Sequence, residues 1–228
     1  MADSRWKPLA IDASLSYWLA PHFGWKPSND TPDGWPEQVG CVAVDVPGAP
    51  LVLVDPIAPN GERDPAGAAA FWAWLAGRHA ARGGIAILLS NHYHGRHAPE
   101  IVAKYPGTRV YAAAITNGKA SVGVTDVVGD GDVVPAGIVT RAIDGLDEGE
   151  LAWHIPGSRA LFFADAVLGT PDGVRLAPPK WARDASLYDS VFVPSVRRLL
   201  ALEAEHVIPS HGPFVPGGGV RQLAAALG

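Results

Sequence analysis

The chain has 228 residues, 48% of them hydrophobic and 18% charged, which is enough apolar surface for one sizeable core and a single domain over 1–228. A net charge of −5 with no run of Lys or Arg argues against a nucleic-acid partner and leaves a small-molecule substrate as the expectation. The single cysteine, Cys41, excludes an internal disulfide framework and any cysteine-based zinc ribbon, so a metal here must be held by histidine and carboxylate.

From the N-terminus, Asp3, Arg5, Lys7 and Asp12 interrupt the apolar residues, leaving no stretch of signal-peptide length. No window reaches the ~18 to 20 apolar residues that span a bilayer, so a cytoplasmic protein without membrane contact is expected; oligomeric state is not encoded. Trp6, Trp18, Trp25 and Trp35 all precede the confident strands, and packing of this segment onto a sheet is their default role. Trp25 and Trp35, on Gly/Pro-rich stretches, are also candidates for an aromatic wall over a site. Cys41 is read as a small core residue, and His22, His79 and His206 as ordinary residues.

Four apolar runs then predict strands buried on both faces, and each ends in a residue that can bind a metal or a proton. Residues 51–54 end at Asp55, 85–89 at Ser90-Asn91-His92, 160–164 at Asp165, and 206–209 at Ser210-His211. Helices are predicted over 65–82, where Pro65 opens an Ala-rich run closed by Gly83, over 98–105, and over 189–204 with Pro194 tolerable only in the first turn. Segment 170–188 has no regular period, and its Lys180, Trp181 and Tyr188 are candidates to touch substrate. Strand ends gathered at one sheet edge are the usual place for an α/β active site.

The sharpest local signal is His92-Tyr93-His94-Gly95-Arg96-His97. In an extended segment side chains alternate, which predicts that His92 and His94 point the same way, with Gly95 letting the chain turn to bring His97 from another side. Imidazole suits zinc, iron, nickel or copper, and a catalytic zinc needs about three protein ligands plus an open position. Further candidates are His154 in Trp153-His154-Ile155-Pro156-Gly157-Ser158, Asp165, and His211 in Pro209-Ser210-His211-Gly212.

In this order the motifs resemble those of the metallo-β-lactamase superfamily, the metal-dependent hydrolases that include hydroxyacylglutathione hydrolases and lactonases. The family's His-x-His-x-Asp-His motif is similar to 92–97, and its later His, Asp and His motifs to those at His154, Asp165 and His211. Its early strand-end aspartate is similar to Asp55. The resemblance implies an αββα four-layer sandwich and one or two zinc ions, with iron or manganese as alternatives. It implies a first metal on His92, His94 and His154, a second on His97 and His211, Asp165 between them, and Asp55 orienting a ligand imidazole. The implied activity is attack of a metal-activated water on an ester, thioester, lactone or similar small substrate, with Asp165 as proton acceptor.

One position departs from the family pattern. Arg96 stands where the motif has aspartate, and guanidinium neither ligates a metal nor acts as a base. Three arrangements are compatible with it: a second site on His97, Asp165 and His211 alone; a single metal, with Arg96 paired to Asp165; or Arg96 turned outward to bind a substrate anion. The sign of the charge favours the single metal. A relative that keeps the fold and a structural metal without turnover is the competing reading.

Overall fold

The structure, a computed structural model, describes residues 6–228; Met1–Arg5 of the segment read for a leader lie outside it. Two sheets form its middle. The first runs in the order β1 (Leu9–Ala10), β2 (Leu15–Pro21), β3 (Gln38–Val44), β4 (Leu51–Val54), β5 (Ile85–Leu88), β6 (Arg109–Ala112) and β7 (Asp126–Val127). It is antiparallel up to β4 and parallel from β4 onward. The second contains β8 (Val133–Val134), β9 (Ile138–Ile143), β10 (Glu150–Ile155), β11 (Ala160–Phe163) and β14 (His206–Pro209), in the order β14-β11-β10-β9-β8. A hairpin of β12 (Val167–Thr170) and β13 (Gly173–Leu176) stands between β11 and the last strand.

Alternation along the strands builds three apolar layers. Val42, Val44, Val52, Val54 and Leu88 face Leu151, Trp153, Phe162 and Ile208 between the sheets. The opposite side of the first sheet, with Leu51, Leu53 and Ile87, is covered by Phe71 and Leu75 of α1 (Pro65–Arg82) and Ile101 of α2 (Ala98–Lys104). The outer side of the second, with Leu161, Phe163 and Val207, is covered by Val196 of α3 (Val193–Arg197) and Leu223 of α4 (Gly219–Ala226). The result is the expected αββα sandwich. None of the described helices is long and apolar enough to cross a membrane.

Local signals explain the helices. Asp64 caps α1 by accepting the Gly67 N–H at 2.8 Å, Pro65 follows at the first helical position, and Gly83 closes the helix at φ 71°. The helix expected over 189–204 is a composite. It opens as a wide π-type turn at Tyr188–Phe192, becomes α at Val193–Arg197 and tightens to 3-10 at Arg198–Leu202. Pro194, in the first turn of the α portion, lacks the N–H an interior position needs, which accounts for the break in regularity before it. Cys41 is fully buried, and Trp6 and Trp18 pack with Phe71 and Trp74 of α1.

Parallel pairing of β4 with β5, and of β11 with β14, sends four strands out at the same end of the sandwich, which places Asp55, Ser90-Asn91, Asp165 and Ser210-His211 side by side.

Candidate metal centre

Asp55 follows β4 at φ 48°, an uncommon conformation for a non-glycine residue, and is fully buried. Its carboxylate accepts the Ser90 N–H at 2.8 Å and the Ser90 hydroxyl at 2.7 Å, and its Oδ2 lies 2.7 Å from Nδ1 of His94. Nδ1 of His94 is thereby committed, and Nε2 faces the other way, 3.4 Å from Oδ1 of Asp165. The same oxygen lies 3.0 Å from Nε2 of His211. Asp165 is held in turn: Asn91 donates to its Oδ2 at 2.7 Å, and its backbone N–H donates to buried Glu150 at 3.1 Å.

His211 owes its place to a close backbone approach. Gly212 adopts φ 89°, and a Cβ there would lie 2.3 Å from the carbonyl oxygen of Gly169, whose N–H donates to the His211 carbonyl at 2.7 Å.

One donor atom from each of His94, Asp165 and His211 lies within 4.8 Å of the others. All three residues line one cleft of about 460 Å³, walled by His22, Trp35, Tyr93, Leu146, Asp147, Trp181 and Arg183. Two imidazole nitrogens, one carboxylate oxygen and an open side toward a cavity are the donor set of a one-ion catalytic centre. The Asp55 carboxylate behind His94 is the outer partner such a ligand normally has. The residues therefore fit one divalent ion.

Charges in this cluster are strongly coupled. Burial opposes ionisation of Asp165, yet the His94 charge and the imidazole N–H groups hold its carboxyl well below the usual range. Burial and the Arg96 charge work against a proton on His94, but Asp55 and Asp165 outweigh them and raise it to about 9. Burial, reinforced by Asp165, pushes Glu150 up to about 8. Burial above all, then Arg96, His211 and His94, lowers His22 to about 4. An ion must displace the His94 proton, so its apparent affinity is expected to climb with pH up to about 9, by roughly tenfold per unit where steepest. Calorimetric zinc titration at three pH values checks this, and a flat profile overturns it.

The remaining motif residues go elsewhere. His92–Gly95 forms a 3-10 turn and not an extended segment. At about three residues per turn, side chains two apart diverge. His92 consequently points its Nδ1 toward Asp147 Oδ2 at 3.9 Å, while His94 faces Asp165. Both atoms of that first pair are buried and unpartnered. His97 sits at the start of α2, its Nδ1 accepting the Ala58 N–H at 3.3 Å. His154 pairs with Val139 and Leu161 inside β10, and since Leu151, Trp153 and Ile155 face the inter-sheet core, it faces the opposite side, near Arg141.

Arg96 neither pairs with Asp165 nor turns outward to solvent. It is buried at φ 40°, donating from NH1 to the Asp55 carbonyl at 2.9 Å and from NH2 to the Ser210 hydroxyl at 2.7 Å. It thus ties together the residues next to both imidazoles, behind the cleft.

Of the aromatic candidates, Trp35 stands 4.7 Å, ring to ring, from His211, and Trp181 lines the cleft. Trp25 supports from behind, donating its Nε1 H to the Trp35 carbonyl at 3.0 Å. Lys180 pairs with Asp33 at 3.2 Å, and the Tyr188 hydroxyl donates to the Ala177 carbonyl at 2.6 Å; neither lines the cleft. His22, expected to be ordinary, does line it. Sequence reasoning missed Asn91, Asp147, Glu150 and Arg183; only Asn91 carried a signal, as part of the strand-end polar run.

No protein-family model matches the chain, and no curated protein matches it in sequence. Solved structures do match in fold. DIM-1 metallo-β-lactamase superposes with a TM-score of 0.68 at 15% identity, over 98% of this chain and 96% of the other. A metallo-β-lactamase from Pontibacter korlensis gives 0.68 at 14%, over 97% and 98%. The mono-zinc form of the metallo-β-lactamase FIM-1 from Pseudomonas aeruginosa gives 0.65 at 17%, over 99% and 96%. The chain has the metallo-β-lactamase fold.

Proposed function

We propose that this chain is a metal-dependent hydrolase of a small ester, thioester or lactone, working with one divalent ion, zinc first among the candidates. The observation that carries the reading is the convergence of His94 Nε2 and His211 Nε2 on Asp165 at the floor of a cleft. The FIM-1 neighbour, whose structure is of a mono-zinc form, supports it as a case of one zinc in the same fold.

When bound, such an ion supplies Lewis acidity, polarising a carbonyl oxygen and acidifying water. The chain's own groups do the rest. Asp55 fixes the tautomer and tilt of His94, and Asn91 fixes the carboxylate plane of Asp165. Asp165, held ionised by its two imidazoles, is a weak proton acceptor. Asp147 is the second carboxylate lining the cleft, and its free Oδ2 beside His92 is placed to accept and return a proton. Trp35 and Trp181 line the cleft beside these groups and offer apolar area to the substrate.

Metal analysis of protein prepared without chelator should find one ion per chain, and a panel of small esters, thioesters and lactones should show turnover that a chelator removes. Asp147→Asn should keep the ion and lose roughly 10²-fold in kcat. Absence of any ion overturns the reading, and an ion without turnover turns it into that of a metal-holding relative without catalysis.

A further inference from the structure

Resting on that reading, we infer that the cleft selects uncharged substrates: carboxylic esters or lactones carrying an aryl or other broad apolar group, in preference to carboxylate- or phosphate-bearing ones.

The walls argue for the apolar group. Trp35 packs edge-on to His211, the His22 ring lies edge-on to Trp35 at 5.0 Å, and Phe23 stacks on His22 at 4.8 Å. Trp181 and Leu146 face the same cavity, as does Tyr93, a residue 67% exposed. An exposed aromatic residue beside a centre of this kind offers apolar area and a ring face to a ligand.

The charges argue against an anion. Arg183 is the one Arg or Lys lining the cleft among the described residues, and its NH1 lies 2.7 Å from Glu148, with Nε 4.0 Å from Asp147. Lys119 pairs with the same Glu148 at 3.4 Å, and Lys180 with Asp33 at 3.2 Å. Arg183 thus already has its carboxylate, and an anionic substrate would have to displace it. Arg96, the other cation nearby, is spent on the Asp55 carbonyl and Ser210 behind the cleft. Leaving a substrate charge without a partner is costly, which is how a site discriminates against it.

Hydrolysis of such a substrate balances without any other reactant. The water oxygen bonds to the acyl carbon, the acyl–oxygen bond to the alcohol breaks, and the water's proton ends on the departing oxygen.

The test compares a matched pair, 4-(methoxycarbonyl)phenyl acetate and 4-carboxyphenyl acetate, on the zinc-loaded full chain. The corresponding acetanilides are titrated into metal-free protein and read by tryptophan fluorescence. The expected result is at least about tenfold higher kcat/KM and tighter amide binding for the neutral member, and Trp181→Ala should reduce that advantage roughly fivefold or more. Equal or faster hydrolysis of the carboxylate ester, tighter binding of the carboxylate amide, or no binding of either amide overturns the inference. If neither ester is turned over but the neutral amide binds tighter, the hydrolase reading fails and the cleft preference stands.

Discussion

Replacing Arg96 by methionine is expected to cost about 3 kcal/mol of folding stability, measured by urea unfolding of the metal-free protein. The guanidinium donates to the Asp55 carbonyl and the Ser210 hydroxyl, and Ser210 in turn donates to the Gly40 carbonyl at 3.1 Å. Methionine fills the space and leaves those oxygens without their donor. Arg96→Asp, which would restore the motif letter of the resemblance, should be worse: the shorter side chain leaves the same oxygens without their donor and puts a negative charge in a buried place now held by a cation. Little folded protein and no second ion are expected. A stable Arg96→Asp protein that takes up a second ion would show that the side chain at 96 can reach the cleft after all.

Asp165→Asn and His211→Ala are each expected to weaken zinc binding by roughly 10³-fold, since a structural zinc binds with about 10–16 kcal/mol shared among few ligands. Asp55→Asn, which only orients His94, should cost about 10- to 100-fold. His92→Ala, His97→Ala and His154→Ala should each cost less than about tenfold. The ranking is what discriminates, and competition with a chromophoric chelator reads it. If His92→Ala costs as much as His211→Ala, the centre is larger than the three residues that converge on Asp165.

Much of this was legible in the residues. Short apolar runs ending at Asp55, Asn91, Asp165 and His211 predicted buried strands with polar ends at one edge, and parallel pairing gathers them there. The histidine motif was harder, because its letters do not say whether the backbone runs extended or turns. In a 3-10 turn His92 and His94 part company. The Pro-Gly following His154 suggested a site turn, yet that turn comes after β10, and strand register faces His154 away. For Arg96 the identity pointed to a special role, but its direction depends on a positive φ that no single residue type announces. Asp147 and Arg183 reach the cleft from loops whose sequence has no period, so no pattern led to them.

The contact between Gly169 and Gly212 bears on how the centre is made. His94 and its Asp55 belong to the first sheet, whereas Asp165 and His211 belong to the second, and in sequence β14 follows β11 only after the intervening hairpin and helical run. Contacts so distant in sequence close late in folding, because loop entropy is spent before they form. During synthesis, which delivers the N-terminal part first, His94 therefore waits beside Asp55 until the last strand arrives. The three donors therefore converge only once both sheets are in place, with β14 seated on β11.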